Sequence, residues 1–320
     1  MKILAVQNRM GMGDTIIFLP YVRALSEKFN SPVSLLVKKN SKADQYLHQT
    51  SYIDKIIFLE RDKEKKDRHR GFLGSLNLIK DIKSYNFDKI VLFNSSLRFN
   101  LIAKFSKINE IYQYPLFQKK KQHITETPKK FIKEKFDLSV NEDPEIQIDE
   151  ASISKSIEKF RINRKELNIL LGIGGSGPTK RIPANIFLKV IEKLSEMRKC
   201  KFFLATGKNN DEQIILNEII QSKFGSFCKP LDKLSIREIL PIIKSCNISI
   251  CNDTSFSHLS AALGVKTITL MADTPLVYGN YSSKMFPIIP DGEQTVTHNT
   301  MGKEKINPQK ILEKAIKIIY

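Results

Sequence analysis

The feature that most constrains this 320-residue chain is a strand–helix alternation that runs through it twice. Short apolar, β-branched runs at 2–6, 33–37, 55–59, 89–93 and 110–112 alternate with helical patterns at 15–29, 42–48, 72–83, 97–105 and 125–136. Pro20 falls within the first of these helices and is expected near its first turns or as a kink. The stretch 60–70 reads as a charged loop. A polar stretch at 138–150, with Pro144 among several carboxylates, then reads as a linker. After a helix at 152–160 the rhythm restarts, with strands at 168–173, 201–205, 248–251 and 267–270 and helices at 185–198, 211–221, 235–244 and 307–319. Strands separated by helices pair in parallel, with helices on both faces of the sheet. The expectation is an α/β protein of two Rossmann-like, doubly wound domains, 1–148 and 149–305, with a terminal helix at 306–320 packing back on the first.

Composition narrows the class. A hydrophobic content of 41% suits a globular chain. No apolar run is long enough to span a bilayer. The apolar start is broken by Gln7-Asn8-Arg9, so it reads as a strand and not as a signal peptide, and a cytoplasmic protein is expected. Cys200, Cys228, Cys246 and Cys251 form no CxxC pair and read as buried free thiols, without a zinc site. The formal charge of +18 suits nucleic acid, anionic lipid headgroups or phosphorylated substrates. The lysines are scattered, however, through runs such as 63–70 and 119–121, as a merely lysine-rich surface would have them. No nucleic-acid-binding motif is present, and no nucleic-acid partner is expected.

Four segments fall where a strand hands over to a helix. Cys251-Asn252-Asp253-Thr254-Ser255-Phe256-Ser257-His258 leaves a strand and enters a short helix. Asp253, Thr254 and Ser255 stand at its N-cap, and His258 projects from its first turn. Free N–H groups at such an end make an anion site, although an ordinary capped helix carries the same residues. Gln7-Asn8-Arg9-Met10-Gly11-Met12-Gly13-Asp14 has two glycines for a tight turn but lacks the third of a dinucleotide fingerprint. Asp14 reads as an N-cap, a general base, or both. Gly172-Ile173-Gly174-Gly175-Ser176-Gly177-Pro178-Thr179-Lys180-Arg181 lacks the GK[ST] of a nucleotide triphosphatase. It brings Ser176, Thr179, Lys180 and Arg181, groups suited to a diphosphate, to a strand end. In Thr206-Gly207-Lys208-Asn209-Asn210-Asp211-Glu212, either carboxylate can meet a ribose hydroxyl or simply complement a helix dipole. Arg98, at a further strand end of the first half, and His123, between a lysine run and a helix start, are candidates for the acceptor. A structural arginine and a surface histidine are the plain alternatives.

Taken in order, Gly11-x-Gly13-Asp14, Thr179-Lys180-Arg181-x-Pro183 and Asn252-Asp253-Thr254-Ser255-x-x-His258-Leu259-x-Ala261-Ala262-Leu263-Gly264 resemble glycosyltransferase family 9, the ADP-heptose:lipopolysaccharide heptosyltransferases. The resemblance covers nearly the whole chain, and its third motif is the most specific. It implies a GT-B fold, two Rossmann-like domains facing across a cleft, with the acceptor on the first and the nucleotide-sugar on the second. It implies an inverting sugar transfer with no metal and no cofactor, the ADP-sugar being a substrate. Asp14 matches the family's general base, and Lys180 its donor-phosphate lysine. Asp253, Thr254, Ser255 and His258 match the donor-binding segment, with Glu212 a looser match to a nucleotide-binding carboxylate. Gly13 joins Arg98 and His123 on the acceptor side.

The implied acceptor is an anionic glycolipid, met by a monomer in peripheral contact with the anionic cytoplasmic face of the inner membrane. Two departures bear on the donor's identity. Ile182 stands where a Trp often follows the lysine–arginine pair, and Met271-Ala272-Asp273-Thr274-Pro275 replaces a common phenylalanine-glycine form. A GT-B enzyme using another nucleotide-sugar, such as a UDP-sugar transferase or epimerase, and a non-catalytic binder of nucleotide or anionic polymer are the competing readings.

Overall fold

A computed structural model describes residues 1–9, 11–61, 67–118 and 122–320. Met10 and the lysines at 63, 65, 66 and 119–121 lie outside the described residues. The chain divides into two compact units, Met1–Gln147 and Ile148–Tyr320.

The first unit comprises β1 (Ile3–Val6), α1 (Met12–Phe29), β2 (Val33–Lys38), α2 (Ala43–Tyr46), β3 (Ile53–Leu59), α3 (Gly71–Lys83), β4 (Lys89–Leu92), α4 (Leu97–Phe105), β5 (Glu110–Gln113) and α5 (Glu126–Phe136). Its sheet is parallel throughout, in the order β3-β2-β1-β4-β5. The order reverses between β1 and β4, so the loops after Val6 and Leu92 open the crevice where such sheets bind ligands. On one face α3 and α4 bury Leu78, Ile82, Phe99 and Ile102 against Leu4, Val6, Ile90 and Leu92. Elsewhere an aromatic cluster joins α1 and α5, with Phe93 edge-on to Phe18 at 5.3 Å and to Phe131 at 5.9 Å.

Two details differ from expectation. Helix α1 starts at Met12, not 15, because Gly11 takes φ 101°, a conformation open to glycine, and turns the chain into the helix at once. Pro20 therefore lies buried in mid-helix and not in the first turns. The segment expected as a linker is partly bound to the first unit. Glu145 pairs with Arg23 at 2.6 Å, and the Gln147 amide oxygen accepts from Ser51 N at 2.8 Å.

The second unit comprises α6 (Glu150–Phe160), β6 (Leu167–Gly172), α7 (Ala184–Met197), β7 (Cys200–Ala205), α8 (Asn210–Ile220), β8 (Cys228–Pro230), α9 (Ile236–Lys244), β9 (Ile248–Asn252), α10 (Ser255–Ala262), β10 (Thr267–Leu270), β11 (Met285–Ile288) and α11 (Pro308–Ile319). Its parallel sheet runs β11-β10-β9-β6-β7-β8 and reverses between β6 and β9. The outermost strands, β8 and β11, were not expected from sequence. Each is short and contains a proline, which a sheet tolerates at its margin. Helix α11, expected to pack back on the first unit, buries Ile311, Leu312 and Ala315 in the core of the second unit, where it packs against α7.

Candidate functional site

In the second unit the reversal of strand order places two of the quoted segments together. Gly172 pairs with Cys251 across the β6–β9 register, so the glycine loop and the Asp253 turn leave the sheet side by side. Asn252, fully buried, donates its Nδ2 to the carbonyls of Ile173 at 2.9 Å and Gly174 at 3.0 Å. The Glu212 carboxylate, also buried, accepts from Gly175 N at 2.8 Å and from the Asn209 side chain. A Cβ at Gly174 would lie 2.3 Å from Glu212 Oε1, and one at Gly207 2.1 Å from Oε2, so both glycines make room for this carboxylate. A carboxylate accepts more than two bonds, so these contacts leave Glu212 able to take a hydroxyl as well.

The basic end of the same loop is held by three further carboxylates. Lys180, closing a 3₁₀ turn at Pro178–Lys180, donates to Asp253 Oδ2 at 2.6 Å, with the Lys180 side chain 22% exposed and Asp253 only 7%. Arg181 bonds the Gly175 carbonyl at 3.0 Å and Asp211 at 2.6 Å. Thr179 bonds Asp273, in the segment after β10. Burial pushes the Asp273 carboxyl up, but bonds from Thr179 and from the backbone of Met301 and Asn299 outweigh it and hold it below the usual range. Ser176 lies exposed in the loop.

Thr254 is the N-cap of α10, its hydroxyl oxygen accepting from Phe256 N at 3.2 Å. Ser255 opens the helix, whose positive dipole end thus points out beside Lys180 and Asp253. His258 is buried, its ring stacked on Tyr281 with centroids 5.6 Å apart and Nδ1 2.8 Å from the Tyr281 hydroxyl. Burial lowers its pKa from 6.5 to about 4, against the pull of Asp253 and with the help of Lys180. It is neutral at neutral pH and offers hydrogen bonding but no positive charge. The cationic partners for an anion here are Lys180 and Arg181, aided by the helix end.

In the first unit Asp14 occupies the first turn of α1, where a carboxylate complements the dipole, and Gly11 takes the N-cap position. A Cβ at Gly11 would stand 3.7 Å from Asp14 Oδ2. Gln7 fixes the turn by donating to the Asp14 carbonyl at 3.1 Å and accepting from Arg9 N at 2.7 Å. Gly13 is helical rather than part of the turn. Arg98 braces α4 to the start of α3, donating to Ser75 Oγ at 2.8 Å and to the His69 carbonyl at 2.6 Å. His123, exposed, accepts from the backbone N–H groups of Thr125 and Glu126 at the start of α5. These contacts give Arg98 and His123 structural work whatever else they meet.

Asn252, Asn209 and Asp273 fell within quoted segments but were given no role of their own, and Tyr281 was not quoted at all. Asn252 reaches a carbonyl 79 residues back in the chain, and periodicity carries no signal for such a partner. Among the described residues no group of three or more His, Cys, Asp or Glu side chains forms a metal-ligand set.

The chain is 25% identical to lipopolysaccharide heptosyltransferase 1 of Campylobacter coli, over 94% of this chain and 92% of that protein. It superposes on the glycosyltransferase family 9 protein of Veillonella parvula with a TM-score of 0.79 at 17% identity, covering 99% and 97% of the two chains. It superposes on the E. coli ADP-heptose LPS heptosyltransferase II with a TM-score of 0.73 at 16% identity, covering 100% and 98%. These likenesses establish the GT-B fold. The pattern described as glycosyltransferase family 9 (heptosyltransferase) matches residues 75–286, two thirds of the sequence, so the chain belongs to that family and is a glycosyltransferase.

Proposed function

We propose that this protein transfers heptose from ADP-heptose to an anionic glycolipid of the lipopolysaccharide-core type, with inversion and without a metal. The observation that carries the reading is the Lys180–Asp253 pair beside the open N-terminus of α10, at the strand-order reversal of the second sheet. The relatives' names supply the donor and acceptor classes: an ADP-heptose LPS enzyme and a lipopolysaccharide heptosyltransferase.

In this reading Asp14 accepts the proton of the acceptor hydroxyl as its oxygen attacks the anomeric carbon. The bond to the departing diphosphate breaks, and ADP leaves with that electron pair. Lys180 has three N–H donors and spends one on Asp253, so two remain for the diphosphate. The positive dipole end of α10, opened by Ser255, adds to this, and the two together take the part a metal would play. Asp253 keeps Lys180 extended toward the strand ends before the donor arrives. Glu212 suits a ribose hydroxyl and His258, neutral, a sugar or phosphate hydrogen bond.

The test is turnover. Purified protein with ADP-heptose and a lipopolysaccharide-core acceptor should release ADP and yield an acceptor with inverted anomeric configuration, in the presence of EDTA. No ADP release with any core acceptor, or thermal stabilisation by UDP and not by ADP, would overturn it.

A further inference from the structure

Helices α3 and α4 cover one face of the first sheet, since both belong to right-handed crossovers that run in the same direction. They pack side by side. Their inward sides are apolar, as a core requires. Their outward sides are apolar too, which a core does not require. On α3, Phe72 is 79% exposed and Leu73 73%, with Leu76 one turn on. On α4 the exposed stripe runs Leu97, Leu101 and Phe105. Beside the start of α4, Phe117 is 80% exposed and held at φ 63°, where its N–H reaches the Ser95 carbonyl at 3.3 Å. An aromatic ring held in a left-handed turn and pointed at water is a costly arrangement with no internal beneficiary.

The charged residues of the exposed stripes carry one sign. Lys80 and Lys83 continue the exposed α3 stripe, Lys104 lies on the α4 stripe, and Lys107 follows it. None of the four has an acidic partner among the described residues. The acids nearby are paired: Asp81 with Arg68 at 2.6 Å, beside a hydrogen bond to His69, and Glu110 with Lys89. The face thus offers bulky apolar tips ringed by uncompensated lysines. That combination fits the interface of an anionic bilayer, with rings among the upper acyl chains and ammonium groups at the headgroups.

We propose that the exposed face of α3 and α4, with Phe117, is the surface by which this protein docks on anionic membrane. The proposal takes its purpose from the glycolipid-acceptor reading above, and its geometry from the first unit alone. The N-termini of α3 and α4 and the turn bearing Phe117 lie at the carboxyl edge of the sheet, the same edge from which Asp14 emerges. Docking there would present that edge to the headgroup of a membrane-held acceptor.

The experiment is sedimentation of the full chain with large unilamellar vesicles. Wild type should bind phosphatidylglycerol-rich vesicles and leave phosphatidylcholine vesicles largely unbound. The combined Phe72→Ser, Leu73→Ser and Phe117→Ser variant should weaken phosphatidylglycerol binding by about tenfold or more. Lys80→Gln and Lys104→Gln should each weaken it by about fivefold. The triple variant removes only exposed groups, so its melting temperature and its stabilisation by ADP should match wild type. It should also keep its turnover on a soluble, delipidated acceptor while losing turnover on acceptor held in vesicles. Wild-type protein that ignores anionic vesicles, or a triple variant that binds them as wild type does, overturns the proposal. So does a wild-type dimer that the triple substitution splits without any lipid binding, which would make the face an interface between copies. Lipid binding lost in the triple variant with no transfer by wild type would leave the docking surface standing and remove the transferase reading instead.

Discussion

Lys180 and Asp253 form an ion pair at 2.6 Å in which the carboxylate is the more deeply buried partner. The asymmetry decides what each substitution does. Lys180→Met strands a buried carboxylate without its cation, at a cost of about 2 kcal/mol, less than for a fully buried pair because Lys180 is partly exposed. Adding Asp253→Asn to Lys180→Met should restore most of that stability but none of the activity, since the diphosphate has still lost its cation. The expected loss in kcat is about 10²–10³-fold, read by ADP release beside chemical denaturation. A double variant that recovers both stability and turnover would show Lys180 to be structural only.

Asp14 should separate chemistry from binding. Asp14→Asn keeps the size of the side chain and a polar group in the first turn of α1, so the fold is expected to hold. The proton of the acceptor hydroxyl then has no base. Turnover should fall by about 10²–10⁴-fold while calorimetric affinity for ADP stays within a factor of about two. Near-normal turnover would take the proton transfer away from Asp14.

The sheets, their parallel sense and the four strand-end segments were legible in the sequence because period and polarity are local properties. The strands at the sheet margins were not. Cys228-Lys229-Pro230 and Met285-Phe286-Pro287-Ile288 are too short and too proline-broken to show a period, and they are strands only because a neighbour supplies the ladder. The start of α1 was misplaced because Met12 and Gly13 give no helical signal, whereas Gly11 takes a φ that its letter permits but does not announce. The site was legible as a set of loops but not as a set of bonds. That His258 would turn into the protein and stack on Tyr281, 23 residues on, depends on packing that no window of sequence contains.

That packing makes His258 a source of acid sensitivity. Its pKa is depressed from 6.5 to about 4, so the unfolded chain binds its proton more readily than the folded one. The neutral ring's contribution is present in full above pH 6.5. It is lost as pH falls from 6.5 toward about 4, and the loss levels off below that. The span corresponds to about 3 kcal/mol. Denaturant midpoints measured between pH 7 and pH 4 should show this slope, and His258→Gln should flatten it. An unchanged slope in that variant would assign the acid sensitivity to other groups.

Glu212 and the two glycines around it should behave as one unit. Ala at Gly207 would set a methyl 2.1 Å from Glu212 Oε2 and force the carboxylate off its bonds to Gly175 N and Asn209. The cost should be about 1–3 kcal/mol, the range for leaving buried polar groups without partners. Gly174→Ala should act through the same carboxylate, from its other oxygen. Glu212→Ala also destabilises the loop, because Gly175 N loses its acceptor. In the Glu212→Ala background, however, Gly207→Ala should add almost nothing, since the atom it would strike is gone. A double-mutant cycle on thermal unfolding reads this as a coupling of about 1–3 kcal/mol. Strict additivity would mean that Gly207→Ala acts on a contact other than Glu212.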